Sequence, residues 1–434
     1  MTDSPRRFAT LDAWLDWQAT LHPTMIELGL ERVAAVWARM NHNKSLPCPV
    51  ITVGGTNGKG SCVAMLESMA QAAGYRTVCY TSPHLLRYNE RVRINGESAS
   101  DDVLCASFER IDRARDEIAL TYFEFGTLAA LDRCVCEAPD LAILEVGLGG
   151  RLDAVNVVDA DVAVVTSIGR DHTAWLGDSL DEIAVEKAGI CRAGRPAIIG
   201  QRDAPSSLRT EAMRLGAMPL QLGREFDHAA ADSGWIWNGT ATERLALPMP
   251  ALRGAFQLDN AAAAITALRC LRQRLPMSAN AIRAGLQRVQ LAGRFQVIPG
   301  TPTWILDVAH NGSAAQALAT NLQAFACRGR LRAVLAVLAD KAPEAIVQPL
   351  LPFVDQWFLA QSDDARALPV AQLNARLAGV LRTPTAGCFA DVASALDAAR
   401  AASRTDDCLL VVGSFTTVSQ VLADTARLAV IGKG

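Results

Sequence analysis

The most restrictive feature of this chain is the stretch Val53-Gly54-Gly55-Thr56-Asn57-Gly58-Lys59-Gly60-Ser61, which follows the apolar run Pro49-Val50-Ile51-Thr52 and precedes a helix-like segment, Cys62 to Ala73. A β-branched strand, a glycine-rich turn and a helix start in that order build a phosphate cradle. Glycines let the backbone come close to oxygens, amide N–H groups converge on them, and the helix dipole adds positive potential. Lys59 supplies a mobile charge. The spacing departs from the common P-loop pattern in two places: the first glycine stands one place late, at Gly54, and Gly60 follows Lys59 where Ser or Thr is usual, leaving Ser61 to provide the hydroxyl. An ordinary strand-to-helix turn explains a glycine or a lysine, but not strand, loop, lysine and helix arriving together. The stretch points to a nucleoside triphosphate site.

At 434 residues the chain exceeds the size at which one core usually stops growing, so two domains are expected. A formal net charge of −3 offers no electrostatic basis for binding nucleic acid or an acidic membrane surface, and small substrates are expected instead. The eleven cysteines are odd in number and unpaired in spacing; Cys79, Cys270 and Cys408 lie inside apolar runs, and Cys134 and Cys136 form a C-x-C that does not share one helix face. A reducing compartment follows. Met1 to Arg7 is polar, Phe8, Leu11, Trp14, Leu15 and Trp17 come at helical spacing, and the longest apolar runs are far too short to span a bilayer. The expectation is a soluble, cytoplasmic monomer.

Along the chain, residues 8–43 read as helix, loop, helix, broken at Leu21-His22-Pro23-Thr24, with Gly29-Leu30-Glu31-Arg32-Val33 leading the second helix. Arg32 is equally a solvated helix face or a ligand. Gly74 to Tyr80 reads as a strand that runs into Thr81-Ser82-Pro83-His84 and on to Arg91. Hydroxyls, a proline, a histidine and charges just past a strand's carboxyl end occupy the crevice where open parallel sheets bind ligands. Helices are expected from Asp101 to Ile118 and from Thr121-Tyr122-Phe123-Glu124-Phe125 onward, where Glu124 is equally a dipole partner in a first turn. The run Leu141 to Leu144 ends in Glu145, the position from which a carboxylate serves nucleotide-bound Mg²⁺. The strand Asp161 to Ser167 ends in Ile168-Gly169-Arg170-Asp171-His172, so three strand ends deliver Ser82, Glu145 and His172 to one rim. Leu180 to Ile190 is an amphipathic helix on which spacing alone puts Lys187 at the surface, and Arg195 to Gly200 is a further strand. Residues 201–250 read as irregular, with a small hairpin around Trp235-Ile236-Trp237.

Leu252 to Asn260 leads an Ala-rich helix, Ala261 to Arg274, and a second helix, Ala279 to Val289, reaches Leu291-Ala292-Gly293-Arg294-Phe295. That turn is the expected boundary between domains 1–292 and 293–434. Beyond it, strands Thr303 to Leu306, Leu331 to Leu338, Gln356 to Ala360 and Cys408 to Val412 alternate with helices from Ser313 and near Val392 to Ala402. The fold class is therefore α/β: an N-terminal P-loop-type doubly wound domain plus a smaller C-terminal Rossmann-like α/β domain.

With these residues laid out, the chain resembles the folylpolyglutamate synthase and dihydrofolate synthase family, relatives of the peptidoglycan Mur ligases. The resemblance covers nearly the whole length through Gly-Thr-Asn-Gly-Lys-Gly-Ser at 55 to 61, Thr-Ser-Pro-His at 81 to 84, Leu-Glu-Val-Gly-Leu-Gly-Gly-Arg-Leu-Asp-Ala at 144 to 154, Asp-His at 171 and 172, Glu-Lys-Ala-Gly-Ile at 186 to 190 and Asp-Val-Ala-His-Asn at 307 to 311. It implies an ATP-dependent ligase in which a folate-type carboxylate takes the γ-phosphoryl group and L-glutamate's amine attacks the acyl phosphate. Carried over by motif, Thr56, Asn57, Gly58, Lys59, Gly60 and Ser61 would hold the triphosphate, with Asn260, Arg294, Asp307 and His310 holding ATP from farther along the chain. Ser82, Glu145 and His172 would form the shell of Mg²⁺, and Lys187 matches the lysine that in this family is carboxylated to a carbamate and serves a second ion. Lys59, His172 and Lys187 are thus the expected catalytic residues. The two domains would close on the nucleotide, with Arg294 at the hinge.

The pterin acceptor would meet Gly29, Leu30, Glu31 and Arg32, Tyr122, Phe123 and Glu124, and Leu152, Asp153 and Ala154. The Leu-Gly-Leu-Glu-Arg-Val at 28 to 33 and the Phe-Glu at 123 and 124 look like bifunctional bacterial enzymes that take dihydropteroate as well as folates. Many relatives carry histidine before Gln257, where this chain has Phe256, so a role resting on that histidine is not carried over. A polyglutamylation-only ligase, a muramyl peptide ligase and, from another class, a P-loop switch protein are the alternatives. The Thr-Ser-Pro-His loop and the lack of an added nucleotide-sugar domain favour the folate branch over the muramyl one.

Overall fold

The computed structural model describes residues 7–24, 26–40, 45–240, 242–381 and 385–424. Residues 1–6 of the polar N-terminal stretch and residues 41–43 at the end of the expected helix–loop–helix lie outside them. The chain divides into two compact units: Met1–His84, Tyr88–Ala251 and Leu258–Val289 make the first, and Leu85–Arg87, Leu252–Gln257 and Gln290–Gly434 the second.

The first unit is built on β1 (Val50–Gly54), β2 (Thr77–Tyr80), β3 (Val92–Ile94), β4 (Glu97–Ser98), β5 (Leu141–Glu145), β6 (Val162–Val165), β7 (Pro196–Ile199) and β8 (Met218–Gln221). They stand in the order β4-β3-β2-β5-β1-β6-β7-β8, parallel from β2 to β8, with β3 and β4 antiparallel at one edge. β1, β5 and β6 are buried along their whole length, which is why they read as unbroken apolar runs. The chain leaves β1 toward β2 on one side and later builds β6, β7 and β8 on the other. The carboxyl end of β1 is therefore the switch point at which such sheets take ligands.

Helices α1 (Leu11–Leu21), α2 (Glu31–Arg39), α4 (Asp101–Arg115) and α5 (Tyr122–Glu137) share one core cluster with Val50, Val78 and Leu144. Trp14 is its aromatic centre, with its ring 5.2 Å from Phe8 and 5.9 Å from Phe108. The helices Leu180–Ala188 and Ser206–Arg214 pack with Ala163 and Val165 in a separate cluster. α3 (Lys59–Ala72) crosses the helix Ala279–Arg288 at backbone contact, where Ser68 Oγ donates to the Gly285 carbonyl at 2.8 Å.

The described part of the stretch expected to be irregular, residues 201–240 and 242–250, holds regular elements. These are the helix Ser206–Arg214, strand β8, and a separate antiparallel sheet of β9 (Asp227–Ala231), β10 (Gly234–Asn238) and β11 (Arg244–Leu247). The helix buries only Leu208 and Ala212, so it shows almost no apolar period. The expected hairpin is one half of the small sheet, where Trp235 pairs with Leu247 and Trp237 with Leu245.

The second unit carries β12 (Gln296–Ile298), β13 (Thr303–Leu306), β14 (Leu331–Leu335), β15 (Gln356–Ala360), β16 (Gly387–Phe389) and β17 (Cys408–Val412), in the order β12-β13-β17-β14-β15-β16. All neighbours are parallel except β12 against β13. Apolar clusters lie on both faces, one centred on Leu410 and Leu335, the other on Val411 and Val334. The whole chain is thus α/β, with a large parallel-dominated sheet followed by a smaller Rossmann-like one. No helix among the described residues is long and apolar enough to cross a membrane, and all eleven cysteines are free thiols.

Ile143, fully buried in β5, supports the strand that carries Glu145. Ile143→Ala should cost about 2–5 kcal/mol of unfolding free energy by denaturant titration, whereas Met213→Ala, at a 59% exposed position, should cost less than about 0.5 kcal/mol.

Candidate active site

The loop after β1 turns into α3 through Gly58, which takes the left-handed conformation (φ 87°) and caps the helix. A Cβ there would lie 2.5 Å from Asn260 Oδ1, and one at Gly55 would lie 2.0 Å from Thr166 Oγ1, so both positions admit only glycine. The end of β6 holds the loop in place. Thr166 Oγ1 and Ser167 Oγ donate to the Asn57 carbonyl at 2.7 and 3.0 Å, Asn57 N–H donates to Ser167 Oγ at 3.0 Å, and Thr56 Oγ1 donates to the Gly169 carbonyl at 3.1 Å. Thr166, Ser167 and Gly169 escaped notice in the sequence, although they stand at the strand end that supplied His172. Ser61 is buried in the first turn of α3, beside Gly60.

Two lysines meet at one carbonyl. Lys59 Nζ donates to the Gly55 oxygen at 3.1 Å and to that of Thr56 at 3.2 Å, while Lys187 Nζ donates to the Gly55 oxygen at 3.1 Å. Lys187 is 4% exposed, so the surface position implied by its helical spacing is wrong. The loop 147–154 packs on the backbone of its helix at Gly150, where Arg151 N–H donates to the Glu186 carbonyl at 3.0 Å and Arg151 Nε to the Glu186 carboxylate at 3.1 Å. Burial, reinforced by the charge of Lys59, pushes the Lys187 ammonium down to about 7.

Val53 stands opposite Glu145 in the parallel register, so the carboxylate leaves the sheet where the phosphate loop begins. Glu145 is 4% exposed, and its Oε2 accepts from Ser82 N–H at 3.2 Å across the cis Ser82–Pro83 turn. His172 adopts a left-handed backbone (φ 51°), caps a short helix, Thr173–Leu176, and keeps a partly exposed ring. Among the described residues no group of three or more His, Cys, Asp or Glu side chains converges as a metal cage. A buried carboxylate with a nearby serine beside a phosphate loop suits a cation that draws its other ligands from phosphate and water, as Mg²⁺ does.

The three segments expected to meet the pterin come together. Gly29 N–H donates to the Leu152 carbonyl at 3.2 Å, and Leu30 caps α2, placing Glu31 and Arg32 in its first turn. Arg32 is not a solvated residue: its guanidinium pairs with Glu27 and with Glu124, Nη2 lying 3.0 Å from Glu124 Oε1. Glu124 also closes a capping box with Thr121, so its dipole role and its pairing with Arg32 hold at once. Phe123 lies against Gly147, and Tyr122 against Tyr88 at 5.6 Å. Asp153, 2% exposed, accepts from the N–H groups of Leu148 and Val155 at 2.8 and 2.9 Å and caps the short turn that begins at Ala154.

In the second unit, Asp307 accepts from Phe295 N–H and Ala309 N–H, both at 2.8 Å. Burial raises its pKa above the ordinary range, against the pull of Arg294. The Arg294 guanidinium lies 4.9 Å over the Phe415 ring, and His310, whose Nδ1 sits 2.9 Å from the Val308 carbonyl, faces the same ring at 6.0 Å. Arg294, Asp307 and His310 thus form one cluster.

The Mur ligase middle domain matches residues 53–268, and the Mur ligase glutamate ligase domain matches residues 293–415. The dihydrofolate synthase/folylpolyglutamate synthase of Escherichia coli K12 is 43% identical over 419 residues, 96% of either chain. Escherichia coli FolC in complex with DHPP and ADP superposes with a TM-score of 0.91 at 43% identity, covering 98% of this chain and 100% of that one. A bifunctional folylpolyglutamate synthase/dihydrofolate synthase with Mn, AMPPNP and L-glutamate bound gives 0.89 at 42% identity, with the same coverage.

Burial pushes the Asp153 carboxyl up to about 6, so its ionisation works against folding. The cost is absent below about pH 4, grows up to about pH 6 and is constant above, reaching on the order of 3 kcal/mol. Unfolding free energies of wild type and Asp153→Asn between pH 4 and pH 8 should therefore separate over that interval, wild type losing ground as pH rises. Parallel curves would show that Asp153 does not titrate there.

Proposed function

The chain belongs to the dihydrofolate synthase/folylpolyglutamate synthase family and is an ATP-dependent ligase, and on that premise we propose that it joins L-glutamate to dihydropteroate and to tetrahydrofolate through an acyl phosphate. One observation carries the reading. The loop 147–154 bonds to the helix of Lys187 through Arg151 and to Gly29 through Leu152, so a single short segment links the phosphate loop's second lysine to the pterin segments.

The chemistry needs that link. A carboxylate repels nucleophiles, and phosphorylation gives it both a neutralised acyl centre and a leaving group; glutamate's amine then displaces phosphate, leaving an amide, ADP and inorganic phosphate. The amides at the start of α3 and Lys59 are suited to hold the phosphates and offset charge on the transferring group. Asn260 packs its carboxamide against Gly58, which supports a role beside the nucleotide. We assign Arg294, Asp307 and His310 to nucleotide contacts on the strength of their shared cluster and the matched motif. On the acceptor side, Arg32 presents a polar group fixed by Glu124 and Phe123 an aromatic ring, while Asp153 holds the backbone of the loop beside them.

The ligase works with a divalent metal, for which we propose two Mg²⁺ ions held through Ser82, Glu145, His172 and a carbamate on Lys187. The ions would supply charge neutralisation at the phosphates. Lys187 suits carboxylation because its amine is enclosed, donates to a backbone carbonyl and carries a depressed pKa. Free thiols throughout fit work in a reducing compartment such as the cytoplasm.

The deciding experiment supplies ATP, L-glutamate and either dihydropteroate or tetrahydrofolate, then measures ADP and the product mass. Turnover with both acceptors is expected; turnover with tetrahydrofolate alone would reduce the chain to a polyglutamylation enzyme, and glutamate-independent hydrolysis to a switch protein. Lys59→Ala should lower kcat by about a thousandfold or more, since it removes a charge aimed at the transferring phosphoryl group. Intact-mass measurement with bicarbonate present should show one added CO₂, lost in Lys187→Arg. An unmodified, fully active wild type would exclude the carbamate.

A further inference from the structure

Arg91 closes the short 3₁₀ turn Tyr88–Arg91 that leads into β3, and its backbone is tied to the end of β2, since Thr81 N–H donates to the Arg91 carbonyl at 2.8 Å. β3 pairs antiparallel with β2, Val92 standing opposite Tyr80, so Arg91 falls beside the first residue of the Thr-Ser-Pro-His loop. Its side chain returns over that loop. Nε donates to His84 Nδ1 at 2.9 Å, and the guanidinium lies 5.3 Å from the Tyr88 ring and 5.6 Å from the Tyr122 ring. Tyr88 packs edge-on against His84 at 5.9 Å and against Tyr122 at 5.6 Å.

These contacts join two segments that are far apart in sequence. His84 ends the loop in which Ser82 N–H reaches Glu145. Tyr122 opens α5, whose first turn holds Phe123 against Gly147 and Glu124 against Arg32. A planar cation can donate along its edge to a ring nitrogen and lie over two aromatic faces at the same time, which an ammonium cannot do. We infer that Arg91 is a positioning residue that fixes the Ser82–His84 loop and the Tyr122–Glu124 turn relative to each other. This rests on the proposed function, in which the first segment serves the metal and the second the pterin acceptor. A guanidinium used only for solubility would sit exposed; this one is partly buried and shared among three rings.

Two measurements test the inference on the full chain, with Arg91→Ala and Arg91→Lys beside wild type. Amide hydrogen exchange in the ligand-free protein reports the two segments directly, through the Ser82 N–H held by Glu145 and the Thr121 and Glu124 N–H groups of the capping box. Both segments should exchange about tenfold faster or more in Arg91→Ala, the loss of one charge-assisted hydrogen bond, with β1 and β5 unchanged and no rescue by lysine. Unchanged protection, or a uniform rise that includes β1 and β5, would overturn the inference whatever the activity. In steady-state assays, Arg91→Ala should raise KM for dihydropteroate and the Mg²⁺ requirement by about tenfold while shifting KM for ATP less than about twofold. An equal loss in kcat with every KM unchanged would also overturn it. A wild type that turned over neither dihydropteroate nor tetrahydrofolate would refute the proposed function instead, leaving the exchange measurement to decide the role of Arg91.

Discussion

The carbonyl of Gly55 is the point on which the chemistry proposed for the first unit depends. It receives an amine from its own loop, Lys59, and a second from 132 residues away, Lys187. One of the two amines is enclosed, and burial together with the charge of the other pushes it down to about 7, because the pair lacks the solvation that two ammonium groups would need. A core selected only for stability would discard such an arrangement. Its effect is to leave one mobile charge, Lys59, where the α3 amides also point, beside an enclosed amine of the kind the proposed carbamate requires.

The loop 147–154 turns this electrostatic focus into a device with two ends. Arg151 and Glu186 lock it onto the Lys187 helix, Leu152 bonds to Gly29, and Asp153 uses both oxygens to hold its own backbone. Phe123 then closes on Gly147, where a Cβ would lie 2.5 Å from its ring. Strain or displacement in this loop would disturb the proposed phosphate and acceptor sides together. The enclosure of Lys187 and the assembly of Gly29, Arg32 and Glu124 are therefore one structural event.

Much of this is legible in the chain before any coordinates. Parallel strands buried on both faces must read as apolar runs, so β1, β5, β6 and β17 are plain, and whatever polar residue ends such a run is placed at the carboxyl edge; Glu145 and Ser82 follow from that rule. What escapes is whatever a distant segment determines. Lys187 stands on the same helix face as the buried Ala184 and Ile183, three and four residues earlier, and what that face meets, the Gly55 carbonyl 132 residues away, is not written in helical periodicity. The Ser206–Arg214 helix is lost for the opposite reason, since it buries too little to leave a pattern. The division into units is likewise not a single cut, because Leu85–Arg87 belongs to the second unit while its flanks belong to the first.

Arg32 and Glu124 show why charges near a site are hard to assign from sequence. Either alone is an ordinary first-turn residue, and neither reading offered for it, solvated face or dipole partner, predicts the other. In the fold, Glu124 satisfies Thr121 N–H with one oxygen and still pairs with Arg32, while Arg32 reaches Glu27 as well. A capped helix end fixes the carboxylate, and the carboxylate fixes the guanidinium, which is left with little freedom to lose in the acceptor role proposed for it. Preorganisation of that kind reduces the ordering cost of recognising a substrate, and it comes from helix capping, a local device repeated at most helices of this chain.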